Sequence, residues 1–366
     1  MHPNDHAHLA PLGWDSWFAD RFATLAAAGS LPARVVADHG TGRSVHTGRA
    51  TLPAQLHPRL TAAARRHADP MLPAVGDWVA ISAGGGRATI EAVLERRTAF
   101  RRSVAGHTSH EQVLAANVDI AIVMAAVDAE PNLRRLERTL AMALASGARP
   151  LVLLSKADLA GGAAAGVRAA EAERVAAGAP VLALSSLTGE GVDRLPDLIP
   201  AGRTAVLLGP SGVGKSTLVN RLAGDAVMRT GDVRSDGKGR HTTTHRELLT
   251  MPWGGLLIDT PGMRELQLWV DVEDAGGIAQ LFADVDELAA RCRFADCGHT
   301  SEPGCAVQAA IDRGELTAGR LESQRKLQRE AAAVERRVSR RRGRAAALGR
   351  SRRIAQMREE ELSGGG

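Results

Sequence analysis

The rhythm of apolar and polar positions changes twice along the chain. Between residues 31 and about 105 the apolar runs are short: "ARVVADHG", "SVHTGRATL", "GDWVAI" and "RATIEAVLE", separated by Gly, Pro and Asp. Strand-length runs punctuated in this way predict a small antiparallel β-barrel. Before them, "WDSWFADRFATLAAAG" places apolar side chains at helical spacing and predicts an N-terminal helical arm within residues 1–30. From about Asn117 strand runs alternate with helical ones. "DIAIVMAAV" reads as a strand, "NLRRLERTLAMALASG" as a helix ended by Gly147, and "RPLVLLSKAD" as a strand again. An Ala-rich helix is expected over about 163–178, with "AGGAAAG" at 160–166 as a flexible link. "APVLALSS" and "TAVLLG" are strands with a short helix, Gly191 to Leu198, between them; "KSTLVNRLAG" is a helix and "GGLLIDTPG" ends another strand. This alternation predicts a parallel, doubly wound sheet, and beyond residue 270 mostly helices are expected.

The chain therefore reads as multidomain: an arm over 1–30, a barrel over 31–105, an α/β domain over 106–270 and an α-helical domain over 271–366. Aromatic residues make up 3% and Tyr is absent, so the cores must rest on Leu, Val, Ile and Ala. No apolar run approaches a membrane span and no charged-then-apolar leader opens the chain, so a cytoplasmic protein without a membrane partner is expected. The net charge of +5 is uneven. Arg crowds between Arg320 and Arg358, as in "VERRVSRRRGRAAALGRSRRIAQMRE", with few acids to offset it. That balance favours nucleic-acid contact over a helix that is merely solvated.

Gly209, Pro210, Ser211, Gly212, Val213, Gly214, Lys215 and Ser216 fit G-x-x-x-x-G-K-[ST] between a strand and a helix, with Thr217 next. The glycines let backbone amides turn toward phosphate oxygens, Lys215 reaches the β- and γ-phosphates, and Ser216 is placed to ligate Mg²⁺. Asp259-Thr-Pro-Gly262 closes a later apolar strand. There Asp259 can hold Mg²⁺ through water, and the Gly262 amide can sense a γ-phosphate. Between them "GKGRHTTTHREL" has the polar, Gly- and Thr-rich character of a switch segment. One of Thr242, Thr243 or Thr244 is expected to complete the Mg²⁺ shell, with Thr243 the assigned ligand.

Upstream of the phosphate loop, Ser155-Lys156-Ala157-Asp158 resembles the N/T-K-x-D box that reads guanine. Asp158 can accept from guanine N1 and N2, and Lys156 can pack over the base. The next strand delivers Ser185, Ser186 and Leu187 in "SSLTGEG", similar to the loop whose backbone amide meets guanine O6. The base boxes keep their mutual order but precede the phosphate loop, which predicts a circularly permuted domain, since a sheet tolerates relocated ends where the old ones lie close. Ser155 stands where Asn or Thr is usual. It lacks the carboxamide that bridges the two loops, so weakened nucleotide binding is expected.

All three Cys lie in "CRFADCGHTSEPGC", which gives Cys292, Cys297, His299 and Cys305. Three thiolates and one imidazole form a closed tetrahedral set, the donor chemistry of one structural Zn²⁺.

The succession "SKAD", "SSLTGEG", "GPSGVGKS", "GRHTTT", "DTPG" and a Cys₃His cluster resembles the circularly permuted, small-ribosomal-subunit-dependent GTPases of the RsgA type, over roughly residues 31–310. The resemblance implies an OB-fold barrel, a permuted P-loop GTPase domain and a C-terminal zinc domain. It implies hydrolysis of GTP to GDP, stimulated by the small ribosomal subunit during its late maturation, with contact to ribosomal RNA. Met263 occupies the position where many GTPases carry a water-orienting Gln. His241 in the switch segment is the expected catalytic residue, a choice the resemblance also favours, and His245 is its competitor. A monomer is expected. A small-molecule kinase and a nucleic-acid-binding ATPase are the rivals. The first has no use for a guanine-reading box, and nucleotide competition separates the second, since Asp158 predicts guanine over adenine.

Overall fold

The computed structural model describes residues 6–25, 27, 29–40, 42–66, 72–103, 111–127, 132–227, 246–259, 275–336 and 339–340. The arm is a 3₁₀ turn, Ala7–Leu12, followed by helix α1, Ser16–Leu25. Asp15 caps α1 by accepting from the amides of Trp17 and Phe18 at 3.0 and 3.3 Å. The apolar stripe of the arm, Leu9, Leu12, Trp14, Phe18 and Phe22, is buried against Trp78, Ala80 and Leu94.

Five strands close into a barrel: β1 Leu31–Asp38, β2 Arg43–His46, β3 Thr51–Leu56, β4 Trp78–Gly84 and β5 Arg87–Val93. Helix α2, Pro58–Arg66, lies between β3 and β4. The order β1-β2-β3-β5-β4, with β4 returning to β1, is that of an OB-fold. The barrel is not wholly antiparallel: β3 and β5 run parallel, because the chain crosses through α2 and β4 before pairing with β3 again. Alternate side chains, among them Val35, Val45, Val79, Ile81 and Ile90, fill the interior. A hairpin, β6 Ala99–Ser103 and β7 Glu111–Ala116, follows.

The second sheet unit contains β8 Ile120–Ala126, β9 Arg149–Ser155, β10 Val181–Ala183, β11 Thr204–Leu208, β12 Arg246–Thr250 and β13 Leu256–Asp259. Its spatial order is β10-β9-β8-β11-β13-β12, parallel except for β12. Strands that precede β11 in sequence lie on one side of it, and strands that follow lie on the other. The helices are α3 Leu133–Ala145, α4 Gly162–Val175, the single turn α5 Leu195–Leu198 and α6 Lys215–Val227. Asn132 caps α3 through the Arg135 amide, 3.0 Å away. Residues 162–166, expected to form a flexible link, are instead the start of α4. Ala165, Ala169 and Ala172 pack on the core, and that burial outweighs the cost of the flanking glycines. Edge strand β12 also pairs with β1, Ala37 opposite Glu247, so barrel and nucleotide-fold sheet are continuous.

Three further helices, α7 Ala275–Leu281, α8 Ala283–Ala289 and α9 Ala306–Asp312, lead to α10, residues 318–336. Phe282, Val307, Leu321 and Leu327 share one core with Leu136 and Leu140 of α3. Arg320, the first Arg of the basic stretch, is not a surface residue. It is buried, paired with Glu137 at 3.0 Å and with Asp284 at 2.6 Å, and it donates to the Leu281 carbonyl. Burial outweighs composition here: Arg320 acts as an internal bolt between α10 and α3.

A second buried cation has no counterpart in the sequence signals. Arg34 of β1 donates to the carbonyls of Leu12, Gly76 and Asn117 and to Thr204 Oγ1. Burial pushes its pKa down to about 10, against the pull of Asp119 and Asp77. It ties together arm, barrel and α/β sheet.

Candidate functional site: a phosphate loop beside two base-reading loops

Strand β11 is buried along its whole length and places Gly209 at the point where strand order reverses, the usual ligand position in an open α/β sheet. Gly209 has φ +151, and an added Cβ would lie 2.8 Å from the Met124 carbonyl of β8. Only glycine allows that approach. Lys215 opens α6 and donates through Nζ to the carbonyls of Gly209 and Pro210 at 2.5 and 2.6 Å. Its ammonium thus lies inside the loop. Pro210, Ser211, Gly212, Val213 and Gly214 form the loop, and Ser216 and Thr217 are exposed on the first turn of α6. Asp259 is exposed at the end of the neighbouring strand β13.

Strand β9 delivers Ser155, which is buried. Lys156 then takes φ +62, a left-handed turn that sends the chain into a 3₁₀ segment, Ala157–Leu159. The Ser155 hydroxyl lies 2.6 Å from the Val213 carbonyl and 3.2 Å from that of Ala125. The bridge expected to be missing is therefore present, made by a hydroxyl instead of a carboxamide, because β9 brings Ser155 directly against the phosphate loop.

The second loop is tied to the first. Ser185 Oγ donates to Asp158 Oδ1 at 2.5 Å and accepts from the amides of Leu187 and Thr188 at 3.2 and 3.1 Å. Ser186 is half-buried, and its hydroxyl has no hydrogen-bond partner among the described residues. Leu159 and Leu187, one in each loop, are 63% and 75% exposed, free to pack on a flat ring. Arg221 of α6 also touches the second loop, a contact no motif announces.

His241, Thr242, Thr243, Thr244 and His245, and likewise Gly262 and Met263, lie outside the described residues.

The Cys₃His residues converge. Ligand atoms of Cys292, Cys297, His299 and Cys305 all lie within 4.8 Å of one another. Cys292 Sγ is 3.9 Å from Cys305 Sγ and 3.6 Å from His299 Nδ1. A tetrahedral ion with Zn–S bonds of about 2.3 Å requires edges of about 3.8 Å, so the spacing fits. The His299 amide favours the Cys297 thiolate, yet burial and the thiols of Cys305 and Cys292 push its pKa up to about 11. A cation would relieve that competition. Glu302 holds the loop by accepting from the amides of Gly298, Thr300 and Ser301. This set can hold a metal ion.

A phosphate-loop motif on the central strand, loops with base-box motifs on strands that precede it in sequence, and a sheet in nucleotide-fold order define a circularly permuted P-loop GTPase. The family model described as RsgA GTPase matches residues 93–269. The small ribosomal subunit biogenesis GTPase RsgA of Opitutus terrae is 48% identical over 348 residues, which cover 90% of this chain and 91% of that one. Its counterpart in Streptomyces coelicolor is 49% identical over 330 residues, 89% of this chain and 87% of that one. Among solved structures, YjeQ from Thermotoga maritima superposes with a TM-score of 0.61 at 26% identity, covering 83% of this chain and 99% of that one. The chain belongs to the RsgA GTPase family.

Proposed function

We propose that the protein binds GTP across these loops and hydrolyses it to GDP and phosphate on the small ribosomal subunit, late in the maturation of that particle. The observation that carries the reading is the join between the proposed base and phosphate sites, the 2.6 Å bond from Ser155 to Val213, in a doubly wound sheet whose base-box strands precede the phosphate-loop strand in sequence. In this reading Asp158 and Lys156 take the base with Ser185, Ser186 and Leu187. The amides from Gly209 to Thr217 and the Lys215 ammonium take the phosphates. Ser216, Asp259 and a switch threonine, Thr243 by motif, hold Mg²⁺, which neutralises developing charge on the phosphate oxygens. Gly262 senses the γ-phosphate, and His241 orients the attacking water once the subunit has arranged the switch segment.

Zn²⁺ on Cys292, Cys297, His299 and Cys305 has a structural role, because all four positions of a tetrahedron are taken by protein. The OB-fold and this domain contact ribosomal RNA, chiefly its phosphates and shape. The names of the relatives support the particle, and a cytoplasmic monomer is part of this reading. The proposed divisions remain an arm over 1–30, a barrel over 31–105, a GTPase domain over 106–270 and a metal domain over 271–366. The decisive experiment measures GTP turnover alone and with purified small subunits, large subunits or free RNA. Strong stimulation by small subunits is expected; equal stimulation by free RNA or large subunits would overturn the assignment.

A further inference from the structure

We infer that Arg221 is a positioning residue for guanine reading, carried on the helix that binds the phosphates. This rests on the GTP reading above. Arg221 lies on α6, which begins with Lys215, yet its guanidinium reaches sideways to the second base loop. Nη1 donates to the carbonyls of Ser186 and Leu187 at 3.1 and 3.0 Å, and Nη2 to that of Thr188 at 3.3 Å. Three consecutive carbonyls thus turn outward onto one planar cation, the fork geometry that suits Arg and not Lys. The opposite side of the loop closes on Ser185. Its hydroxyl takes the Leu187 and Thr188 amides, and its carbonyl takes the Gly189 amide at 2.9 Å.

The amides of Ser185, Leu187, Thr188, Gly189 and Glu190 are all committed within the loop. The Ser186 amide makes no such bond, and it is the donor that the guanine O6 acceptor requires. Gly189 is consistent with this placement. At φ +94 the backbone itself favours glycine, and an added Cβ would lie 2.1 Å from Arg221 Nη2 and displace the guanidinium from this position. Arg221 thereby sets the Ser186 amide in register with the phosphate loop. Base and phosphate contacts are placed by the two ends of one short helical stretch.

The test uses the full chain with Mg²⁺ and four nucleotides: GTP, GMP, ATP and 6-thioguanosine triphosphate. The thio analogue keeps N1–H and the 2-amino group and weakens only the O6 acceptor. Arg221→Met keeps the aliphatic stem and removes the fork. GTP affinity is expected to fall about tenfold, with a smaller fall for the thio analogue, so the ratio between them approaches one. The ratio of GTP to GMP affinity should not move, because the phosphate contacts are intact. Arg221→Lys should restore the oxo preference only in part. A retained GTP-to-thio ratio in Arg221→Met, or an equal loss for both nucleotides, would overturn the inference. Should Arg221→Met not fold, Arg221→Lys alone decides, since an unchanged ratio there also overturns it. Absence of GTP-over-ATP preference in the unaltered protein would instead sink the guanine reading itself.

Discussion

The Ser155 hydroxyl donates to the Val213 carbonyl across 2.6 Å, joining the end of β9 to the loop between β11 and α6. Ser155 is buried, so its removal leaves that carbonyl without this partner in a dry place. Ser155→Ala should cost about 1–3 kcal/mol of stability or GTP affinity, read by denaturant midpoint and nucleotide titration. Ser155→Thr should be close to neutral. Ser155→Asn should not tighten binding, since the bridge already exists; a clear gain would show the hydroxyl to be a poor substitute.

Arg320 and Glu137 form a buried pair with side-chain exposures of 7% and 3%. Burial pushes the Glu137 carboxyl above its ordinary range despite Ser323 and Arg320. Arg320→Met leaves that carboxylate in apolar surroundings and should destabilise the chain by about 3–5 kcal/mol. Adding Glu137→Gln should restore a good part of the loss. Urea midpoints of the two singles and the double check this, and strict additivity would refute the coupling.

Glu302 holds the metal loop together through backbone amides. The amides of Glu302 itself, Thr300, Gly298 and Ser301 lower its pKa to about 2. A depressed carboxyl stabilises the folded loop fully above its unfolded value near 4.5, and that support is lost as pH falls toward 2. Glu302→Gln should release metal to a chelator faster at neutral pH and flatten the acid dependence between those values. Cys297→Ser should lose metal outright and make residues 271–366 protease-sensitive. Full zinc content with protease resistance in Cys297→Ser would exclude the four-ligand site.

The basic stretch is best tested beyond its internal anchors. Leu321, Leu327 and Val334 are buried, so a cut near residue 318 would damage the core and confuse the result. Truncation after residue 340 should weaken small-subunit binding and make its dependence on salt shallower. An unchanged slope would remove the tail from subunit docking.

His241→Ala should keep GTP affinity and small-subunit binding but lose most subunit-stimulated turnover, whereas His245→Ala should lose little. Single-turnover rates on saturating subunits separate the two. Stimulated turnover that survives in His241→Ala removes it from the mechanism.

Much of this protein was legible in its sequence, for reasons of range. The phosphate loop depends on glycines and a lysine within a few residues of one another, and the Cys₃His set on four ligands within fourteen. Short apolar runs broken by Gly, Pro and Asp, and then alternating strands and helices, marked the barrel and the α/β unit, because each element must bury one face. Even the permutation could be read, since motif order is a property of the chain. The tertiary structure decided what depends on packing between distant segments. Ser155 bridges to a residue 58 positions away, and Arg221 caps carbonyls about 35 positions upstream. Arg320 and Arg34 have the composition of surface cations, yet each is buried among acceptors supplied by separate segments. The parallel β3–β5 pair and the β1–β12 join arose from strand order. Local patterns carry no term for these contacts, because whether a donor is satisfied or a charge is buried depends on which remote backbone folding brings to it.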